Sequence, residues 1–487
     1  MSTKIFLLSL ILPTLLLANF TTDVIDAFDG SDAFDFNLEV AYKFKMKSSK
    51  IKREYYCDSS SGDRNCDSQK MDGNGIVNAN NFVYTRMDHI IEPKLRFGLY
   101  KDLEFYIAMP IYLSSSRKLG FDAAAKKAAA DTNGDGIVDN NDGTPTHNGA
   151  SNTFWNAKRT GGEDLFLAYK YENDYATTAT KGTNPVSGGV IYENFQDMFP
   201  DDGISYSRAG LSTLNIGFRA NILDNDRDDT DPSWMIAFQY RAPIAKSVDY
   251  YDSKRLDEIS NGRDLGIYDS TYLRNKFANR IDLGNNSMSD GVHWIKFQTA
   301  LSKRSGLADA VMNFFYEKPM VFGNSVFEKT AGREFYMPGA RFGFDLGVEI
   351  IPWEKAIRDQ ATDEKMIEAR FSIDLNLKFS HNFKGMELSE ISDFIAMPTV
   401  VDEFSNIFFN LNLRHMPNKF VQLNLGFAVG YTTDHIITNQ AQSYKNVEDP
   451  IYTNDVNAFN AINSVGSRIL ATEALNIQGY FNLQIQF

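Results

Sequence analysis

Apolar and polar residues alternate with period two in segment after segment of this chain. The clearest case is the last twelve residues, NIQGYFNLQIQF. Ile477, Gly479, Phe481, Leu483, Ile485 and Phe487 fall on one side of an extended chain; Asn476, Gln478, Tyr480, Asn482, Gln484 and Gln486 fall on the other. Such alternation predicts a strand with one apolar and one polar face. FNLEVAYKFKM (36–46) repeats the pattern near the start, with Phe36, Leu38, Val40, Tyr42, Phe44 and Met46 apolar against Glu39, Lys43 and Lys45. PKLRFGLYKDLEFYIAMPIYL (93–113) reads as two strands around a turn at Tyr100-Lys101-Asp102. Segments 213–223, 234–243, 293–303, 309–318, 340–351, 366–380, 407–416 and 420–431 complete twelve predicted strands. Of these, 309–318 alternates least, and Trp353 to Lys365 reads as a short helix.

The connections between these strands sort by length. Odd-to-even connections run about 35, 98, 47, 20, 22 and 41 residues, and even-to-odd ones about 3, 9, 4, 14 and 4. An all-β protein in general has no reason to sort its loops so. An antiparallel transmembrane barrel does, with long extracellular loops, short periplasmic turns and an even strand number. The predicted fold class is therefore an all-β transmembrane barrel of about twelve strands. EDLFLAYKYE (163–172) also alternates inside the longest loop and leaves fourteen strands as the alternative.

Composition agrees with a barrel and excludes other classes. The chain has 487 residues, with 37 Phe and 23 Tyr, and mean hydropathy is −0.33. Outside the N-terminus there is no apolar run long enough for a membrane helix. A net charge of −14 argues against nucleic acid as a partner. Residues 1–18, MSTKIFLLSLILPTLLLA, have the charged start, apolar core and small final residue of a signal peptide. Residues 19–35 then form a short acidic periplasmic segment, and 36–487 form the barrel. Cys57 and Cys66, nine positions apart in a polar loop, predict a disulfide in an oxidising compartment.

The closing strand resembles that of bacterial outer-membrane proteins, whose terminal aromatic is part of the signal for the barrel-assembly machinery. That resemblance implies the outer membrane, its lipid and that machinery as partners. The chain also resembles outer-membrane barrels of the "MetA-pathway of phenol degradation" type. Gly98, Leu99, Leu103, Glu104 and Pro110 match in the first hairpin, and Gly210, Gly217 and Pro243 in the next. The resemblance covers roughly 40% of the chain. It implies a channel or transporter for small, hydrophobic or aromatic solutes, and it transfers no binding residue. Fatty-acid transporter barrels are the runner-up, but they have fourteen strands and an N-terminal hatch, for which Asn19 to Asp35 looks too short.

The polar faces carry both signs of charge. Glu39, Lys43, Lys94, Arg96, Glu104, Arg219, Arg241, Lys296, Lys378 and Arg414 all point to the inward side. Arg341, Asp345, Glu349, Glu368, Arg370 and Asp374 lie on sequence-adjacent strands and are the expected lumen cluster. Charges there must be hydrated or paired. They either stiffen the barrel as salt bridges or line a polar conduit.

Within the extracellular insert 114–211, residues 131–142 read DTNGDGIVDNND. Asp131, Asn133, Asp135, the Ile137 carbonyl, Asp139 and Asp142 have the oxygen-ligand spacing of an EF-hand calcium loop, with Gly136 at the sharp turn. Asp at the last position resembles dockerin-type loops. Structural Ca2+ that orders this excursion is the expected cofactor. The six histidines, His89, His147, His293, His381, His415 and His435, sit in no nucleophile motif, so an enzyme is not expected. A surface-interaction barrel with a plugged lumen remains as an alternative to a channel, and an outer-membrane hydrolase as a remoter one.

Overall fold

A computed structural model describes residues 22, 24–25, 35–56, 76–100, 102–121, 204–223, 232–248, 288–323, 325–327, 336–358, 365–395, 398–438 and 468–487. The signal-peptide, disulfide, calcium-loop and 163–172 expectations, and His147, lie outside these residues.

The strands are β1 (Phe36–Tyr56), β2 (Ile76–Tyr100), β3 (Leu103–Ala108), β4 (Ile111–Phe121), β5 (Ile204–Leu211) and β6 (Thr213–Leu223). There follow β7 (Ser233–Pro243), β8 (Val292–Ser305), β9 (Ala308–Val321), β10 (Arg341–Arg358) and β11 (Lys365–Asn382). The last part holds β12 (Gly385–Glu387), the single helical turn α1 (Ser392–Ile395), β13 (Thr399–Val401), β14 (Phe404–Asn418), β15 (Val421–Thr432), β16 (His435–Ile436) and β17 (Ile469–Gln486). One antiparallel ring runs β1–β17–β15–β14–β11–β10–β9–β8–β7–β6–β3–β2 and returns to β1. β4 continues β3 beyond Met109-Pro110, and β5 precedes β6 across Ser212, so each pair is one interrupted strand. Pro110 has no N–H to give a ladder, which accounts for the first interruption. The closed barrel thus has twelve strands; closure pairs the backbone around the ring, and β5, above it, is laddered to β4 along one edge.

Closure is made by the chain's two ends. Phe487 N donates to Phe36 O at 2.9 Å, and Leu38 to Lys47 run in register with Ile485 to Asn476. The outward faces match row by row. Phe36, Leu38, Val40, Tyr42, Phe44 and Met46 on β1 stand beside Phe97, Leu95, Pro93, Ile91, His89 and Met87 on β2. Eleven residues tilted by about 40° span about 25 Å, the height of a bilayer's apolar band. Phe36 meets both Phe97 and Phe487, and Phe105 meets Phe97 and Phe218, forming an aromatic girdle at the lower edge. Above Met46 the outer face turns polar, and Lys50 pairs with Glu473 at 2.6 Å. The band therefore ends where the charges begin. The chain is a membrane-embedded barrel of the bacterial outer-membrane type.

Among the described residues, the short connections between successive ring strands, β2–β3, β8–β9 and β14–β15, lie at the girdle end. In the tightest of them Gly306 takes φ +67°, the left-handed conformation that a two-residue hairpin needs. Two local expectations change. Trp353 to Arg358 is strand, not helix, because Trp353, Glu354 and Lys355 keep their partners Phe371, Arg370 and Ala369 on β11. The weakly patterned 309–318 is a full member of the wall. Its inward Asp309, Asn313 and Glu317 are buried and its outward Met312, Phe314 and Tyr316 are exposed.

Candidate functional site: the barrel lumen

Inward side chains are set by strand parity, and they fall into separate groups from the periplasmic end upward. At the lower end, Glu104 on β3 accepts from Arg96 Nε at 3.0 Å and from its Nη2 at 2.6 Å. Arg219 on β6 approaches the same carboxylate at 3.4 Å. Arg96 and Glu104 are essentially inaccessible, at 1% and 0%. A buried charge survives only with this kind of bidentate pairing.

That cluster holds part of the N-terminal segment. Ile25 N donates to Glu104 Oε2 at 3.1 Å, and Thr22 Oγ1 lies 2.7 Å from Ser302 Oγ on β8. Val24 packs on Met235, Ala237 and Ala300. Thr22, Val24 and Ile25 are thus inside the barrel, whereas the acidic composition of 19–35 suggested a lead-in outside it. The sequence signal was the apolar pair Val24-Ile25 amid the Asp residues, too short to show a period.

On the β9–β14 side, Arg414 donates to Glu349 Oε1 at 2.8 Å and to Asp374 Oδ2 at 3.2 Å. Arg370 and Arg304 meet Glu354 at 3.3 and 2.6 Å. Of the six residues expected to cluster, Glu349 and Asp374 are brought together by Arg414. Arg370 joins the neighbouring Glu354. Asp345 lies higher, accepting from Asn313 Nδ2 at 2.9 Å, and Arg341 higher still, 3.6 Å from Glu387. Glu368 leaves the group and pairs with Lys355 at an exposed position, because the ladder shifts register between Lys355 and Ala356. Glu354 was hidden by the helical reading of its segment.

Inward rings lie flat against the wall where the neighbouring strand carries glycine. A Cβ at Gly426 would strike the Tyr480 ring, and one at Gly343 would strike Phe315. The glycines let each aromatic face line the lumen instead of crossing it.

The extracellular half is crossed by the connection between β11 and β14. It enters the lumen as a strap: β12 pairs with β13, and α1 forms the tip. Its base is apolar. Met386 and Val400 are buried with Val292 and Trp294 of β8 and with Val248, Val326 and Phe327. Its tip is acidic. Glu390 accepts from Lys47 Nζ at 2.5 Å, and Asp393 is bonded by both Arg117 of β4 and Arg208 of β5. β4 and β5 stand five or six strands away from β11 and β14 around the ring, so the strap reaches the opposite wall. Burial alone would raise the Glu390 pKa, but Lys47 and then His435 bring it down to about 2. The strap was missed in the sequence because SEISDF shows no alternation.

The described histidines explain themselves locally. His89 and His293 face outward and share hydrogen bonds with Tyr42 and Tyr240 at 2.7 and 2.5 Å. His415 faces outward beside Phe371, and His435 stacks on Phe404. His381 Nδ1 lies 3.0 Å from Ser405 Oγ, with Glu403 3.9 Å from Nε2. That trio sits on the outer face in ring contact with Phe342 and Phe383, and Glu403 is mostly exposed. It is an interfacial anchor in form.

No protein-family model matches the chain, and no curated protein does. Among solved structures, the COG4313 outer membrane channel from Pseudomonas putida F1 is 8% identical, with 93% of this chain and 95% of that one covered and a TM-score of 0.35. A Pseudomonas aeruginosa FadL homologue is 8% identical over 93% and 90%, with a TM-score of 0.32. The CymD monoaromatic hydrocarbon channel is 6% identical over 92% and 88%, with a TM-score of 0.29.

Proposed function

We propose that the chain is a gated channel of the outer membrane that passes small solutes through its lumen. The observation that carries this is how the lumen is obstructed. Thr22 to Ile25 below and the 383–403 strap above both come from outside the wall. Neither contributes a strand to the twelve-strand ring, and the described backbone bonds that tie the strap to the wall are confined to its base: Phe383 N to Ala340 O, Met386 N to Met337 O and Asp402 N to Ile436 O. What remains is a wall of ion-paired charges and aromatic rings, which suits a solute with polar and apolar parts. Small hydrophobic or aromatic solutes follow from the family resemblance of the first two hairpins.

The packed apolar base of the strap favours a second reading, a surface-interaction barrel that never opens. Planar bilayers separate the two. The channel reading expects discrete conductance steps and uptake of small solutes into proteoliposomes. A folded barrel with neither would overturn it. Calcium at Asp131, Asn133, Asp135, Ile137, Asp139 and Asp142 is proposed as a structural element of the extracellular insert, with no part in transport.

A further inference from the structure

The ion pairs of the lumen are of two kinds. Arg96–Glu104 and Arg414–Glu349 are short, at 2.6 and 2.8 Å, and nearly sealed from solvent. A tier on β7 to β11 is different. Arg241 stands 3.4 Å from Glu317, Lys296 3.9 Å from the same carboxylate, Arg341 3.6 Å from Glu387, and Lys378 3.9 Å from Asp345. The four cations keep 27, 22, 32 and 42% of their side-chain surface open. Paired at full strength, they would have closed to the 2.7–2.9 Å of a charge-assisted bond.

Their apolar surroundings are equally ordered. Lys296 and Lys378 flank the Phe315 ring, with Nζ 4.8 and 5.4 Å from its centroid. Phe315 is half-buried on the inward side of β9, its ring edge set against Gly343, where a Cβ would strike it. Arg241 and Arg341 both lie over the Trp294 ring, at 5.6 and 4.4 Å. Above them comes the apolar base of the strap. Asp290, buried nearby, accepts from Val292 N at 2.9 Å and adds a further negative charge that interacts with both arginines.

We infer that this tier is a binding subsite for a monocarboxylate with a flat apolar body, held at its carboxylate by Lys296 and Lys378 and along its ring by Phe315. The inference rests on the channel reading and narrows its small hydrophobic or aromatic solute to an anionic one. Loosely held cations beside an aromatic face are pre-placed to exchange weak internal partners for a ligand carboxylate. A neutral solute of the same shape would gain only the ring contact.

The test uses the full chain from Asn19 in detergent micelles, with benzoate and its neutral analogue benzamide as probes in calorimetry. Benzoate should bind at least about tenfold more tightly than benzamide, since a charge-assisted bond is lost in the neutral case. Lys296→Gln with Lys378→Gln should weaken benzoate about tenfold or more and leave benzamide unchanged. Equal binding of the two probes, or unchanged benzoate affinity in the double variant, overturns the inference. The first comparison needs no variant, so misfolding cannot obscure it. Conductance recorded in parallel keeps the readings apart. Benzoate binding without conductance refutes the channel and supports the subsite; conductance without selective benzoate binding does the reverse.

Discussion

Glu390→Gln tests whether the strap is latched by charge. In the folded chain the Glu390 carboxyl titrates at about 2 against an ordinary 4.5. A depressed folded pKa means that the folded state binds fewer protons. Its contribution is therefore complete above pH 4.5 and is lost as pH falls toward 2. A difference of about 2.5 units at about 1.36 kcal/mol each corresponds to roughly 3 kcal/mol. That agrees with the ~3–5 kcal/mol cost of removing one partner from a buried pair. The energy acts on the strap, because no ladder strand contains Glu390. Hydrogen exchange at neutral pH should therefore show faster exchange across 385–401 in Glu390→Gln, with the barrel strands unchanged. The wild-type strap should loosen between pH 4.5 and 2, and Glu390→Gln should lose most of that dependence. Equal strap protection in the two proteins at pH 7 would refute the latch.

Three further outcomes are expected. Arg414→Met leaves Glu349 and Asp374 without their shared partner and should destabilise the barrel by about 3 kcal/mol in urea titrations followed by tryptophan fluorescence. Adding Glu349→Gln should recover part of the loss; full additivity would show that the two do not interact. Gly426→Val drives a side chain into the Tyr480 ring and should cost about 1–3 kcal/mol by the same assay, whereas Tyr480→Ala should relieve the clash. Asp131→Ala with Asp135→Ala should abolish any calcium-dependent protease resistance of the extracellular insert; unchanged resistance means that no structural calcium site is there.

The wall was legible because a barrel repeats one instruction. Residues 36–46 and 476–487 alternate strictly, since each strand faces lipid on one side and water on the other, and loop sorting gave their order. The same rule placed Glu104, Arg219, Glu349, Asp374 and Arg414 inward. It failed where the environment stops alternating. The register shift between Lys355 and Ala356 made parity misplace Glu368, and the helical reading of 353–365 hid Glu354. The strap and Thr22 to Ile25 fill the lumen, and neither face of a filling segment meets lipid. Their residues therefore follow the shape of the cavity, and no period marks them. Pairing partners such as Lys47 and Glu390, 343 residues apart, depend on closure of the whole ring.

The most direct test of the gated lumen compares conductance in planar bilayers for three chains beginning at Asn19: wild type, one lacking 19–34, and one lacking 19–34 with Glu390→Gln and Asp393→Asn. The account predicts a small conductance that rises with each step, as first the periplasmic and then the extracellular obstruction is released. Three folded barrels with the same conductance, or with none, would contradict it.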